Sequence, residues 1–265
     1  MRLEGATCVL TGAAGGIGSA LAKSLADAGV RLILAGRHNE TLEGLRADLS
    51  PDSVLESCAG NLTDALVQES LCQAARSGGA TILINLCGCN AFGLLQEQDP
   101  QDVERLITTN LTAPIQLTQR LLPHLLQQPE AMIVNVGSTF GALGFPGYAV
   151  YSASKFGLRG FSEALARELA DGPINVVYVS PRATRTSMNP AAVSALNAEL
   201  GNTEDEPERV AAAIVSAMRR RARRTGIGWP EKFFSGLNQI APAVVDKALS
   251  RQLSTIKRFA VKQSQ

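Results

Sequence analysis

Tyr151 and Lys155 stand four residues apart, and Ser138 lies thirteen positions before the tyrosine. Residues four apart on a helix share one face, so the phenol and the ammonium lie along a common edge. A free tyrosine titrates near pH 10, too high for proton transfer at neutral pH. A cation beside it favours the phenolate and draws that value down. A lowering of roughly 3 units corresponds to about 4 kcal/mol. A hydroxyl such as Ser138 then fixes a substrate oxygen beside the phenol, and the three together supply general acid catalysis on a carbonyl. The same spacing suits a plain aromatic ring packed on a lysine stem, so the surrounding chain has to decide.

The elements that must position these groups alternate. Short apolar, β-rich runs at Ala6–Thr11, Arg31–Ala35, Ser53–Cys58, Thr81–Asn85, Ala131–Val136 and Ile174–Val179 read as strands buried on both faces. Helical patterns fall at Gly16–Ala28, Glu40–Leu49, Asp64–Ser77, Asp102–Gln127 and Tyr148–Ala170. Such alternation predicts βαβ units around a parallel sheet. No repeat or linker divides the chain. The polar, alanine-rich stretch Arg182–Glu206 reads as a long loop or short helical lid, beyond a strand's carboxyl end where open α/β sheets bind ligands.

Composition narrows the class. At 265 residues with 45% hydrophobic and 18% charged content, the chain reads as one ordinary globular α/β domain. A net charge of +1 gives no electrostatic case for nucleic acid. Cys8, Cys58, Cys72, Cys87 and Cys89 show no disulfide framework and suit a reducing compartment. With His38 and His124 far apart, no metal site is expected. The polar start Met1–Gly5 lacks a signal peptide's apolar core, and no stretch reaches the ~20 apolar residues of a membrane span. A cytoplasmic protein is expected.

The first strand runs into Thr11-Gly12-Ala13-Ala14-Gly15-Gly16-Ile17-Gly18 and then a helix. Gly12 permits the tight turn, Gly16 lets a pyrophosphate approach the backbone, and Gly18 lets helix and strand pack closely. Free N–H groups and the dipole at that helix start favour phosphates. The pattern resembles the short-chain dehydrogenase/reductase family, whose first turn is Thr-Gly-x-x-x-Gly-x-Gly. Asn85-Leu86-Cys87-Gly88 looks like that family's Asn-Asn-Ala-Gly, and Tyr151-Ser152-Ala153-Ser154-Lys155 supplies its Tyr-x-x-x-Lys signature. Pro181 to Thr186, including Thr184, looks like its Pro-Gly-x-x-x-Thr segment at the nicotinamide carboxamide. The resemblance covers roughly residues 5 to 190. It implies that Tyr151 donates the proton in reduction and that Lys155 lowers its pKa and binds the nicotinamide ribose. It implies further that Ser138 orients the substrate carbonyl and that Asn110 anchors the proton relay.

Cofactor choice is read where the second strand ends, at Ala35-Gly36-Arg37. An acid there would accept hydrogen bonds from a ribose 2′-OH. Arg37 instead offers a guanidinium suited to a 2′-phosphate, so NADP(H) is expected over NAD(H). Asn61-Leu62 stands where the family has an Asp-hydrophobic pair touching adenine, and asparagine still makes that hydrogen bond. Leu86 and Arg182 replace the family's Asn and Gly at their positions.

Arg219–Arg224 holds five arginines in six positions and reads as the basic end of a helix that begins near Pro207. Further on, Phe233, Leu237, Ile240, Val244, Ala248, Leu249, Leu253, Ile256 and Ala260 recur at three- and four-residue steps, split by Pro242. Lys247, Arg251, Lys257, Arg258 and Lys262 give these two helices a basic face. The stripe either lies on an anionic membrane surface or packs over the substrate cleft or a second subunit.

The expectation is a Rossmann-type doubly wound parallel sheet in three α/β/α layers, of seven strands or slightly fewer. Residues 1–228 form the catalytic domain, with a lid near 182–206, and residues 229–265 an amphipathic helical extension. The expected activity is NADPH-dependent reduction of a hydrophobic ketone or aldehyde, such as a fatty 3-oxoacyl, steroid-like or long-chain compound. The alternative is a dinucleotide-sensing binding protein without turnover. By resemblance, a homo-oligomer forms through the helices near Asp102–Gln127 and Tyr148–Ala170.

Overall fold

The structure, a computed structural model, describes residues 2–229 and 231–261. Lys262 of the predicted basic face lies outside them. Seven strands form one parallel sheet: β1 Thr7–Thr11, β2 Arg31–Gly36, β3 Val54–Ala59, β4 Ile82–Asn85, β5 Ala131–Val136, β6 Ile174–Ser180 and β7 Arg224–Gly226. Their order is β3-β2-β1-β4-β5-β6-β7. The order reverses between β1 and β4, which opens a crevice at the strands' carboxyl ends. Helices α1 Gly16–Asp27, α2 Asn39–Ala47, α3 Ala65–Ser77, α4 Pro100–Ile107, α5 Ala113–Leu125 and α6 Ala149–Glu168 follow β1 to β5. Then come α7 Ala191–Glu199, α8 Pro207–Arg219, α9 Glu231–Ile240 and α10 Pro242–Val261.

The two-residue period of a strand sends its side chains alternately to two helical layers. Leu10, Leu32, Leu34, Ile84 and Val134 pack with Leu21 and Leu25 of α1 and Ile214 and Met218 of α8. Val9, Ile33, Leu83 and Ile133 pack with Leu71 of α3, Leu117 and Leu121 of α5, and Leu165 of α6. With both faces covered, the inner strands have nearly continuous apolar runs and were readable from that character; the edge strand β3, which exposes Leu55 and Glu56, was readable too.

The seventh differs from expectation. Helix α8 ends at Arg219, and Arg221 takes a positive φ of 51° that turns the chain back. Arg224–Gly226 then pairs alongside Tyr178–Ser180. A three-residue edge strand bonded on one side needs no apolar run, so its arginine hid it. The helix expected over Asp102–Gln127 is likewise two helices, α4 and α5, joined by a π-helical turn at Thr108–Thr112. Pro114, at the start of α5, has no N–H for a continuous α-helical ladder. The wider turn places Asn110 inward, 1% exposed.

A buried polar chain ties the sheet centre to the helices behind it. The Asn85 amide donates to Thr118 Oγ1 (3.1 Å) and to Asn135 Oδ1 (2.8 Å). Thr118 Oγ1 donates to the Pro114 carbonyl at 2.7 Å. The Asn135 amide donates to Ser162 Oγ (2.8 Å), which donates to the Leu158 carbonyl (2.6 Å). The chain thus runs α5–β4–β5–α6 and sets α6, which carries Tyr151 and Lys155, against the sheet. Asn135→Val leaves the Asn85 amide and the Ser162 hydroxyl each one partner short. The expected cost is about 2–4 kcal/mol for two lost buried hydrogen bonds, read as a lower urea midpoint at unchanged slope. A change under ~0.5 kcal/mol would contradict this role.

Candidate active site

Segments at the carboxyl ends of six strands, β1 to β6, carry the site residues. Thr11 Oγ1 closes β1 by accepting from the backbone N–H groups of Leu86 (3.0 Å) and Cys87 (3.1 Å) and donating to the Ile84 carbonyl (3.1 Å). Gly12 has a φ of +68°, and a Cβ there would stand 2.9 Å from Cys87 Cα. Glycine is therefore required both by the turn and by the neighbouring strand end. A Cβ on Gly18 would stand 2.1 Å from the Gly12 carbonyl oxygen.

The residues present fit a dinucleotide. Helix α1 starts at Gly16 behind Gly15, and no side chain caps its first N–H groups. Gly15 and Gly16 are exposed, with Ala14 and Ile17 half-buried beside them. A Cβ on Gly16 would meet Thr186 Cγ2 at 2.6 Å, so the segment after β6 approaches this helix start closely. Uncapped amides, the helix dipole and a glycine floor suit a pyrophosphate. Arg37 follows β2 directly and is exposed. Asn61 is exposed beyond β3, its Oδ1 accepting from Thr63 N at 3.1 Å, while Leu62 is buried in the core. Asn85 turns its side chain into the framework chain described above. Pro181 accepts from Thr139 N at 2.9 Å, and Thr184 Oγ1 donates to its own loop at the Arg182 carbonyl, 3.0 Å.

Around the tyrosine, Ser138 follows β5, its Oγ accepting from Phe140 N at 3.2 Å to cap the turn Thr139–Gly141, and its hydroxyl lies near enough to the Tyr151 phenol to favour the phenolate. Lys155, 5% exposed, donates from Nζ to the Val136 carbonyl at 3.3 Å, and its Nζ is 5.7 Å from the centre of the Tyr151 ring. A Cβ on Gly88 would lie 3.6 Å from that Nζ and 3.2 Å from Asn110 Oδ1. Asn110 grips the strand-end loop twice: its Oδ1 accepts from Cys89 N (2.8 Å) and its Nδ2 donates to the Cys89 carbonyl (2.9 Å). Its amide also donates to Ser154 Oγ at 3.2 Å. Asn110 thus locks the loop that passes Lys155.

The electrostatics reverse one expectation. Burial pushes the Tyr151 phenol up to about 12, with the Ser138 hydroxyl pulling back. Burial likewise pushes Lys155 down to about 8. Enclosure penalises each charged form more than the neighbouring groups favour it. The phenol is therefore held neutral, the form that donates a proton.

An aromatic shell that sequence reasoning did not assemble encloses the tyrosine. Tyr148 and Phe140 stand 5.9 and 6.3 Å from it between ring centres, and Phe145 stacks on Phe140 at 5.1 Å. Val193 and Leu196 of α7, with Ile256 and Ala260 of α10, complete this apolar cluster. Most of α10's buried stripe thus lies against protein, over the site. Arg182, standing where the resemblance expects glycine, turns into the interior. It pairs with Asp205 through two bonds of 3.0 and 2.8 Å and donates to the Trp229 carbonyl at 3.3 Å. It thereby ties the segment after β6 to the connections before α8 and α9. Its partner lies 23 residues away, which no local pattern shows.

A family model described as short chain dehydrogenase matches residues 6–197. The 3-oxoacyl-(acyl-carrier-protein) reductase FabG of Vibrio cholerae is 32% identical over 72% of this chain and 78% of its own. The reductase of the same description from Thermotoga maritima is 35% identical over 71% and 78%. A solved short-chain dehydrogenase from Sphingobium yanoikuyae in complex with NADPH superposes with a TM-score of 0.77 at 28% identity, over 91% of this chain and 95% of that one.

If the Lys155 ammonium supports proton donation by a neutral Tyr151, kcat/KM for carbonyl reduction falls as pH rises through about 8. Tyr151 adds no second loss below about 12. A profile from pH 6 to 10 checks this, and a flat one would contradict it.

Proposed function

The chain belongs to the short chain dehydrogenase family and is an NAD(P)-dependent oxidoreductase, and from that premise we propose that it reduces a hydrophobic ketone or aldehyde with NADPH. The observation that carries the substrate class is the apolar enclosure of Tyr151 by Phe140, Phe145, Tyr148, α7 and α10. A fatty 3-oxoacyl compound, a steroid-like ketone or a long-chain aldehyde would each bury apolar surface there. The names of the two bacterial relatives support the first of these.

A bound nicotinamide dinucleotide supplies the hydride. The chain's own groups handle position and proton. The Ser138 hydroxyl, near the phenol, holds the carbonyl oxygen beside it. Tyr151, neutral through burial, donates its proton to that oxygen as negative charge develops there. Lys155 lies along the same helix edge and limits the charge left on the phenol once the proton has gone. Asn110 keeps the loop at Gly88 in place against Lys155. The aromatic shell lowers the polarity around the ring, which strengthens each of these interactions.

Preference for NADP(H) is supported by Arg37, exposed at the end of a strand that bears no acid there. Gly12, Gly16 and Gly18 shape the turn for the pyrophosphate, and Asn61 has its amide free for adenine. Assembly into a homo-oligomer is supported by the exposed run Ala149, Ala153, Phe156 and Gly160, which recurs at three- and four-residue steps on α6.

Two outcomes test the reading. Across straight-chain ketones or 3-oxoacyl thioesters, kcat/KM rises by up to about fourfold per added methylene, as burial of a CH2 implies. Flat rates would contradict an apolar site. Arg37→Asp raises KM for NADPH roughly tenfold to a hundredfold, the loss of one charge-assisted hydrogen bond, while KM for NADH holds or falls. Equal effects on both cofactors would contradict the assignment of Arg37.

A further inference from the structure

Five large apolar side chains are exposed on one short part of the surface. Trp229 is 71% exposed, Phe233 51%, Phe234 38%, Ile240 87% and Val244 56%. Three of them touch: the rings of Trp229 and Phe233 lie 5.8 Å apart, as do those of Phe233 and Phe234. Phe233 and Ile240 fall on one face of α9, and Val244 opens α10 just past the corner at Pro242. A contiguous exposed patch of this kind marks an interaction site more often than scattered single residues do.

The segment is held in place, so its exposure is not that of a frayed end. Arg182 bonds the Trp229 carbonyl, Asn238 of α9 donates to the Ala142 carbonyl at 3.1 Å, and Arg258 of α10 pairs with Glu199 of α7. Val245, Ile256 and Ala260 bury the inner side of α10. The outer edge, with its aromatics, has no covering element among the described residues.

Charge identifies the occupant. Residues 229–265 carry six cations against two acids in a chain whose net charge is +1, so the remainder is net negative. Val244, Lys247 and Arg251 recur at three- and four-residue steps, all exposed, on one face of α10 beside the apolar corner, with Asp246 the exposed acid nearby. A tryptophan and phenylalanines next to cations match the boundary between acyl chains and anionic headgroups. A second copy fits worse, because an isologous contact would bring two like-charged segments together. No described helix is long and apolar enough to cross a membrane, so contact would be peripheral.

We infer that the outer edge of α9, from Trp229 to its corner with α10, docks on an anionic lipid surface, with Trp229, Phe233, Ile240 and Val244 inserted and Lys247 and Arg251 at the headgroups. The inference is independent of which carbonyl is reduced. It moves the membrane contact from the α10 stripe, which packs on the site, to the α9 edge.

Trp229 is the chain's sole tryptophan, so its fluorescence reports this aromatic edge at the start of α9 alone. The full chain is titrated with vesicles of phosphatidylcholine, and of phosphatidylcholine with phosphatidylglycerol. The expected result is a shift to shorter wavelength with the anionic vesicles, reversed by high salt. Phe233→Ser with Ile240→Ser weakens partitioning at least tenfold. Lys247→Glu with Arg251→Glu weakens it by about fivefold or more per cation. Both variants keep turnover on a short water-soluble ketone, which shows that they fold. No shift with anionic vesicles, or equal binding to neutral ones, would overturn the inference. So would a lipid-free shift that grows with protein concentration, since a second copy would then cover the edge.

Discussion

Lys155 is a cation almost sealed from water beside the partly buried phenol of Tyr151, and the elements around the site hold that arrangement. Burial acts on both in opposite directions, lowering the lysine to about 8 and raising the tyrosine to about 12. Solvent would undo both shifts at once. The enclosure is built from three sides. The polar chain from Asn85 to Ser162 sets α6 against the sheet, the π-helical turn brings Asn110 to clamp the loop at Gly88, and the aromatic shell closes over the ring.

How much of this was legible depends on where the information resides. Strands covered on both faces must be apolar throughout, and β1, β2, β4, β5 and β6 were readable for that reason, while the edge strand β3 showed itself by Val54 and Leu55 and the turn residues before it. The edge strand β7 needs only three residues and tolerates Arg224, so it looked like the end of a helix. The π-helical turn adds one residue to a pattern whose periodicity otherwise continues, and only Pro114 hinted at it. At the site, the glycines, Ser138, Tyr151 and Lys155 were nameable from type and spacing and Asn110 from the family resemblance, and the fold brings them to one crevice. Their contacts were not nameable. A cation four residues from a tyrosine suggests a lowered phenol, but burial is a property of the whole fold, and here it prevails. Arg182 shows the same limit, since a lone arginine in place of a glycine says nothing of Asp205 until the two segments meet.

The carboxyl-terminal helices explain how one stripe supported two readings. At Val245, Ile256 and Ala260 the apolar residues are buried against protein. At Phe233, Ile240 and Val244 they face outward. Periodicity identifies an apolar side but not what lies against it. By covering Tyr151 on its inner side and presenting aromatics on its outer side, the extension links the substrate cleft physically to an apolar surface.

The most direct test of the central claim is Tyr151→Phe, which removes one oxygen and leaves the ring packing in place, with NADPH binding and carbonyl reduction both measured. Unchanged NADPH affinity with turnover reduced by roughly 10²–10⁴-fold is what a general acid at this position predicts. Turnover retained at the normal rate would contradict it and place the proton donor elsewhere.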